Sequence, residues 1–146
     1  MSDTDLVDAV DGLLHAETQV HDGGVDLTVA DVSVVEEPGR VDFGGDELDA
    51  ARTEPHGTYT RRPDDDYEWW LLDSGTYLIE YNESLSTDRP LRLETREAVL
   101  ERGATHPTRV VTSLPRMPLS VSEGGLHLKE NARVSTLRPH SAQSGR

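Results

Sequence analysis

Short apolar segments separated by glycine, proline and aspartate turns recur along most of this chain. In the clearest of them, residues 25–29, apolar side chains alternate with polar ones, and this period of two is typical of strands with one buried face. Many short strands joined by turns predict an all-β sandwich or barrel. The segments that fit this pattern are residues 25–29, 32–35, 41–43, 69–72, 77–81, 109–112, 119–121, 126–128 and 132–137.

Three other segments depart from the strand pattern. In residues 5–16 the apolar side chains fall on one helical face, and Asp3 or Thr4 can cap the start, so a helix is predicted there. A second, short helix is predicted over residues 96–102. Residues 46–66 are rich in charge, proline and turn residues, and they predict a long surface loop.

Charge is the strongest signal in the composition. Acidic residues outnumber basic ones 28 to 14, which gives a net charge of -14, and Lys129 is the single lysine. At about 1 M salt, charges are screened within about 3 Å, and a high net charge keeps a protein soluble. We therefore expect a halophilic, cytoplasmic protein. Without a basic stripe to neutralise phosphates, we expect no general binding to nucleic acids.

Length and residue content narrow the protein class further. A chain of 146 residues fits one domain. No run of 18 apolar residues occurs, so no transmembrane helix and no membrane partner are expected. The absence of cysteine excludes disulfides and thiolate metal sites.

Four motifs follow one another in a fixed order. They are TQV-x-x-GGVDLTV over residues 18–29 (counting His21 and Asp22 as the spacer), GTYLIEYNE over 75–83, REAVLERGA over 96–104 and NARVSTL over 131–137. Together they resemble the dUTPase/dCTP deaminase superfamily, most of all its archaeal members.

The resemblance carries a set of expectations about structure and assembly. It implies a mainly β, jelly-roll-like (β-clip) domain, which we expect over residues 1–137. Residues 138–146 have no periodicity and predict a disordered tail. It also implies a homotrimer with active sites between subunits. The substrate class is a deoxynucleoside triphosphate, dUTP or dCTP. Hydrolysis of dUTP to dUMP and pyrophosphate, with Mg²⁺ shielding the phosphates, is the family activity.

The resemblance also assigns site residues, namely Gln19, Asp26, Arg96 and Arg133, as nucleotide- or phosphate-binding. A carboxylate at Asp26 could hold a water of a hydrated Mg²⁺; alternatively, it faces solvent or anchors a turn. Arg96 opens the helix that contacts phosphates in the family, and a guanidinium suits that role; the alternative is a surface or inter-subunit salt bridge. For Arg133 the alternative is a structural place on a buried strand.

The same motifs also depart from the family pattern at the positions that carry the chemistry. Glu97 and Ala98 stand where the family has two phosphate-binding serines, and Thr136 replaces a glutamine. Thr112 occupies the expected position of the catalytic aspartate, and threonine cannot serve as a general base at neutral pH. We therefore expect impaired catalysis. Two alternatives stay open: a non-catalytic homologue that binds nucleotide or acts as an oligomeric scaffold, and a dCTP deaminase-type enzyme.

Overall fold

Strands dominate the computed structural model, which describes residues 3–140. The three helices found in this range are short, and the mainly β character follows the prediction. In chain order the elements are α1 (Asp3–Asp8), β1 (Val10–Asp11), α2 (Ala16–Gln19), β2 (Val20–His21), β3 (Gly24–Glu37), β4 (Arg52–Pro55), β5 (Trp69–Leu72), β6 (Gly75–Tyr81), β7 (Ser84–Leu85), β8 (Leu91–Thr95), α3 (Glu97–Leu100), β9 (Ala104–Thr105), β10 (Arg109–Val111), β11 (Met117–Val121), β12 (Leu126–Lys129) and β13 (Arg133–Pro139).

The 14-residue strand β3 organises the main sheet. Its first half pairs with β2 and β13, and its second half pairs with β6 and β4, all antiparallel. The register shifts between Val29 and Asp31, as at a β-bulge, which bends a strand. The sheet therefore runs β10-β8-β13-β3-β6-β11-β9, with β3 common to both halves. Two-stranded ribbons, β1–β7 and β5–β12, complete the pairing.

Side chains from both halves of the sheet meet in one apolar core. Leu27 and Val29 of β3, Ile79 of β6, Leu93 of β8 and Met117 of β11 are completely buried. Valine-rich alternation favours strands because branched side chains pack well on a pleated surface. The core thus holds both halves of the sheet around β3.

The predicted helix over residues 5–16 is wrong in its extent. The chain forms α1, then pairs Val10 with Leu85 in the β1–β7 ribbon, and only later forms α2. Gly12 between them has a φ of 84°, a left-handed conformation that ends a helix. The region therefore contains two short helices with a short strand between them, and not one continuous helix.

Three further predictions on local structure need correction. The separate strands predicted at 25–29 and 32–35 are one continuous strand, β3. Residues 41–43 form no strand and lie in an exposed connection. The predicted loop at 46–66 contains β4, which pairs with the end of β3.

The last strand passes the predicted domain end. It continues from Arg133 to Pro139, two residues beyond Leu137, because Arg138 and Pro139 pair with β8. Most of the predicted tail, residues 141–146, lies outside the described residues. Between residues 3 and 140, no helix has the length and apolarity needed to cross a membrane.

Candidate functional site

A buried carboxylate, Asp26 of β3, forms the centre of the candidate site. Its side chain has no exposed surface. Asp26 Oδ1 accepts a hydrogen bond from Thr136 Oγ1 at 2.8 Å. Asp26 Oδ2 accepts one from Arg133 Nη1 at 3.1 Å and lies 2.8 Å from His21 Nε2 and 3.5 Å from Arg96 Nε. Burying a carboxylate is costly unless such partners surround it.

The strand register brings these partners together from distant parts of the chain. Thr136 lies directly opposite Asp26 in the β3–β13 pair, and His21 lies on β2, which pairs with the start of β3. Arg96 follows β8 immediately and is held there by a hydrogen bond from its backbone N–H to the Val134 carbonyl. The sheet itself therefore assembles the cluster.

The cluster forms one wall of an open cleft of about 420 Å³. The side chains of Arg96 and Arg133 line it and are 28% and 30% exposed. Two guanidinium groups share the single Asp26 carboxylate, so the wall has excess positive charge. Arg138 also lines the cleft, and Asp22, Glu97 and Glu101 bring negative charge to the lining. The guanidinium groups can attract an anion, but three carboxylates oppose its binding.

The predicted site residues separate into two groups. Asp26, Arg96 and Arg133 meet at the cleft, whereas Gln19 lies behind them, 2% exposed. Gln19 Oε1 accepts hydrogen bonds from the backbone of Leu14 and His15, and its Nε2 donates to the Asp26 carbonyl at 2.9 Å. The Gln19 side chain therefore connects the backbone before α2 to the backbone of β3.

Thr112, at the predicted catalytic position, lies elsewhere. It is an exposed residue just after β10, and it does not line the cleft beside Arg96. Within one chain, the structure therefore does not place Thr112 against the arginines.

The geometry of Asp26 does not fit the predicted role in holding a hydrated metal ion. Both carboxylate oxygens already have partners, and neither is exposed. Among residues 3–140, no group of three or more His, Asp or Glu side chains could hold a metal ion. The donor set around Asp26 is cationic, which suits a carboxylate and repels a metal.

A second buried carboxylate, Glu83, was not predicted from the sequence. Glu83 Oε1 accepts a hydrogen bond from the Thr28 backbone N–H at 2.9 Å. Glu83 Oε2 accepts from Thr28 Oγ1 at 2.6 Å and from Gln19 Nε2 at 2.9 Å. None of the ion pairs in the described part of the chain involves Glu83. Glu83 ends the second sequence motif, but its partners are 55 and 64 residues away in sequence, so no local pattern indicates these contacts.

A buried chain of polar groups, also not predicted, crosses β13. His106 Nδ1 lies 2.8 Å from the Pro107 carbonyl and must donate to it, so Nε2 is the acceptor for Ser135 Oγ at 2.7 Å. The hydroxyl of Tyr81 lies 2.6 Å from Ser135 Oγ. Burial lowers the pKa of His106, against a smaller opposing effect of the Pro107 hydrogen bond, and burial raises the pKa of Tyr81. Both groups are therefore held in their neutral forms.

Two archaeal proteins resemble this chain over most of its length. A probable deoxyuridine 5′-triphosphate nucleotidohydrolase of Methanosarcina acetivorans is 31% identical over 128 residues, covering 83% of this chain and 71% of the relative. A protein of the same name in Methanococcoides burtonii is 26% identical over 135 residues, covering 88% of this chain and 76% of the relative. No family model matches the chain.

A solved structure shares the fold. The crystal structure of 2′-deoxycytidine 5′-triphosphate deaminase from Agrobacterium tumefaciens superposes with a TM-score of 0.59 at 13% identity. The match covers 94% of this chain and 46% of the deaminase. It supports the predicted β-clip fold, and the archaeal relatives carry the assignment of the family. The chain belongs to the dUTPase/dCTP deaminase superfamily.

Proposed function

We propose that this protein is dUTPase-like and binds a deoxynucleoside triphosphate in the cleft beside Arg96 and Arg133. The observation that carries the proposal is the sharing of one buried carboxylate by these two partly exposed arginines. A guanidinium carries five N–H donors, more than the contacts to Asp26 use, so donors remain for phosphate oxygens. The names of the two archaeal relatives support the same substrate class.

Each residue of the cluster has its own part in this proposal. Asp26 fixes the two arginines in place and lowers their mutual repulsion, while Thr136 and His21 hold the carboxylate itself. Mg²⁺ is expected to enter as the counter-ion of the triphosphate rather than through a site built by the protein. The homotrimer implied by the resemblance is part of the proposal, with the cleft completed at a subunit boundary.

Two residues in place of the family's catalytic and phosphate-binding groups indicate slow turnover of dUTP. Glu97 lines the cleft where a hydroxyl would bind phosphate, and Thr112 offers no carboxylate to activate water. A positioned general base contributes about 10²–10⁴-fold to a rate. We therefore propose turnover of dUTP at least about 100-fold below that of an ordinary dUTPase. The alternative that these same departures favour is a homologue that binds nucleotide without turning it over.

The activity test is an assay of the purified protein in molar KCl with Mg²⁺. Pyrophosphate release from dUTP and ammonia release from dCTP are measured side by side. Slow pyrophosphate release without ammonia is expected. Ammonia release would favour the dCTP deaminase-type alternative, and rapid dUTP hydrolysis would contradict the role given to Thr112.

The binding test compares substitutions of opposite expected sign. Arg96→Ala removes a charge-assisted contact and should abolish dUTP affinity measured by titration calorimetry. Glu97→Ser removes a negative charge from the cleft and should strengthen affinity. Arg102→Ala is the matched control, because Arg102 follows the same helix, is exposed and does not line the cleft. Equal affinity in all forms, or none in any, would contradict the proposed site.

A further inference from the structure

A two-residue turn places His21 at the edge of the cleft. His21 ends β2 and lies opposite Gly24 in the antiparallel pair of β2 with β3. The connecting residues, Asp22 and Gly23, have φ values of 45° and 75°. Positive φ at both central residues is typical of the type I′ hairpin turn, for which Asp-Gly is a favoured sequence. The turn therefore fixes the backbone that carries His21.

The last strand of the sheet holds this hairpin in place. Arg138 Nη1 donates a hydrogen bond to the Asp22 carbonyl at 3.1 Å. At Gly24 an added Cβ would come within 2.9 Å of Thr136 Cγ2 and 3.2 Å of Arg138 Nη1, so the hairpin lies directly against β13. The imidazole of His21 is thus held in the wall of the cleft, although it is partly exposed.

Three nitrogen atoms approach one oxygen atom, Asp26 Oδ2. His21 Nε2 is nearest at 2.8 Å, Arg133 Nη1 follows at 3.1 Å, and Arg96 Nε is most distant at 3.5 Å. A carboxylate only accepts hydrogen bonds, and it has about two lone-pair sites on each oxygen. His21 and Arg133 use these two sites, since hydrogen bonds from nitrogen span about 2.7–3.2 Å. Arg96 therefore contacts Oδ2 as an ion pair and not through a hydrogen bond.

The two arginines of the cleft are thus held to different degrees. Arg133 Nη1 donates to the Thr18 carbonyl at 3.2 Å as well as to Asp26. The Arg96 guanidinium donates from Nη1 to the Arg133 carbonyl over a longer distance, 3.4 Å. Arg96 is therefore the more loosely held of the two, and its N–H groups are the more available to an anion.

We infer that His21 is a positioning residue that keeps Arg96 available for the phosphates of a bound nucleotide. This inference rests on the proposed function of the cleft. Because the imidazole occupies Asp26 Oδ2, Arg96 has no site there for a hydrogen bond of its own. Without His21, Arg96 Nε can approach the carboxylate and form a charge-assisted hydrogen bond, with which a phosphate must then compete.

Two substitutions that differ by one methylene test this role. In His21→Gln the side-chain amide N–H reaches Asp26 Oδ2 in place of the imidazole, whereas the side chain in His21→Asn is too short. Both amides are neutral, so a difference between the two variants does not reflect their charge. His21→Ala, which also removes the donor, should match His21→Asn. His127→Asn, at an exposed position on β12, is the control outside the cleft.

The affinities for dUTP and for inorganic tripolyphosphate are measured by calorimetry in molar KCl with Mg²⁺. Both should be kept in His21→Gln and His127→Asn protein. Both should fall about 10-fold in His21→Asn protein, as expected when one charge-assisted hydrogen bond competes with the phosphates. Equal affinities in the Gln and Asn variants of His21 would overturn the inference and leave the cleft as the binding site.

A measurement without nucleotide separates this inference from the proposed function. The Nε–H proton of Arg96 is observed by proton–nitrogen correlation NMR and assigned by its absence from Arg96→Lys protein. Its signal should move downfield in His21→Asn protein, as Nε approaches the carboxylate, and stay in place in His21→Gln protein. An unmoved signal in His21→Asn protein would overturn the inference. If the signal moves but no form of the protein binds dUTP or tripolyphosphate, the proposed function is overturned, and with it the role of His21 toward phosphates.

Discussion

Asp26 and Glu83 are two buried carboxylates in one sheet, and their partners differ in charge. Asp26 is surrounded by Arg96, Arg133 and His21, together with one hydroxyl. Glu83 is satisfied by the backbone and hydroxyl of Thr28 and by the amide of Gln19, which are neutral donors. Both arrangements keep a carboxylate out of water, but only the first also places guanidinium groups at the surface.

The difference separates a binding role from a structural one. Around Asp26, two arginines share one carboxylate, so positive charge is left at the mouth of a cleft. Around Glu83, each donor has a definite acceptor, and the result is a firm connection between β3 and the end of β6. The first arrangement can be used to bind an anion, whereas the second holds the strand that carries Asp26.

The largest effect is expected from Asp26→Ala, which leaves two neighbouring arginines without their carboxylate. Breaking a buried ion pair from one side costs about 3–5 kcal/mol, and about 3 kcal/mol is expected because the arginines are partly exposed. The free energy of unfolding is measured with urea in molar KCl. Asp31→Ala, an exposed position on the same strand, should change it by about 0.5 kcal/mol or less. Equal losses in the two variants would contradict the charged-cluster interpretation.

A smaller effect is expected from Glu83→Gln. The amide offers one oxygen in place of two and brings its own N–H donors toward Thr28 and Gln19, so a buried donor loses its acceptor. The expected loss is about 1–3 kcal/mol. The same urea titration measures it, with Glu80→Gln on the exposed side of β6 as the control. A loss above that of Asp26→Ala would reverse the ranking of the two carboxylates.

The smallest effect concerns His106, a third buried ionisable group, held by neutral partners as Glu83 is. Because its pKa is lowered in the folded protein, the unfolded chain binds the proton more readily. His106 thus contributes stability that is fully present above its ordinary pKa near 6.5 and falls as pH drops below it. One proton gives a slope of at most about 1.4 kcal/mol per pH unit.

Unfolding at pH 7.5 and at pH 5.5 checks the His106 effect. The unaltered protein should lose more stability over this interval than His106→Gln protein does. His127→Gln, at an exposed position on β12, should follow the unaltered protein. Parallel losses in the unaltered and His106→Gln proteins would show that His106 does not titrate with folding.

Local sequence patterns predict most of the long strands but not the contacts between them. The strands predicted at 69–72 and 77–81 correspond to β5 and β6, because the turn over residues 73–75 separates two apolar segments; β6 begins two residues earlier than predicted, at Gly75. No strand is predicted at β8, although Leu91 and Leu93 alternate with polar residues, because the segment lies between a proline turn and the predicted helix at 96–102. The helix over residues 5–16 failed because Gly12 and the pairing of Val10 overrode helical spacing.

For the candidate site, too, the sequence indicates residues but not the contacts between them. Motif resemblance selected Asp26, Arg96 and Arg133, but their meeting at one oxygen depends on the register of β3 with β13. Thr136 was noted as a substitution for glutamine, yet its hydroxyl binds Asp26 directly. A hydroxyl that completes the hydrogen bonding of a carboxylate more than 100 residues away leaves no trace in a local pattern.

The place of β13 in the sheet has a consequence for the nascent chain. β13 lies between β8 and β3, yet it is synthesised after all the other described strands. Until it emerges, β8 and β3 each present an open strand edge, and such edges pair readily with other chains. The central gap of the sheet therefore closes last, and until it closes, pairing with other chains can compete with folding.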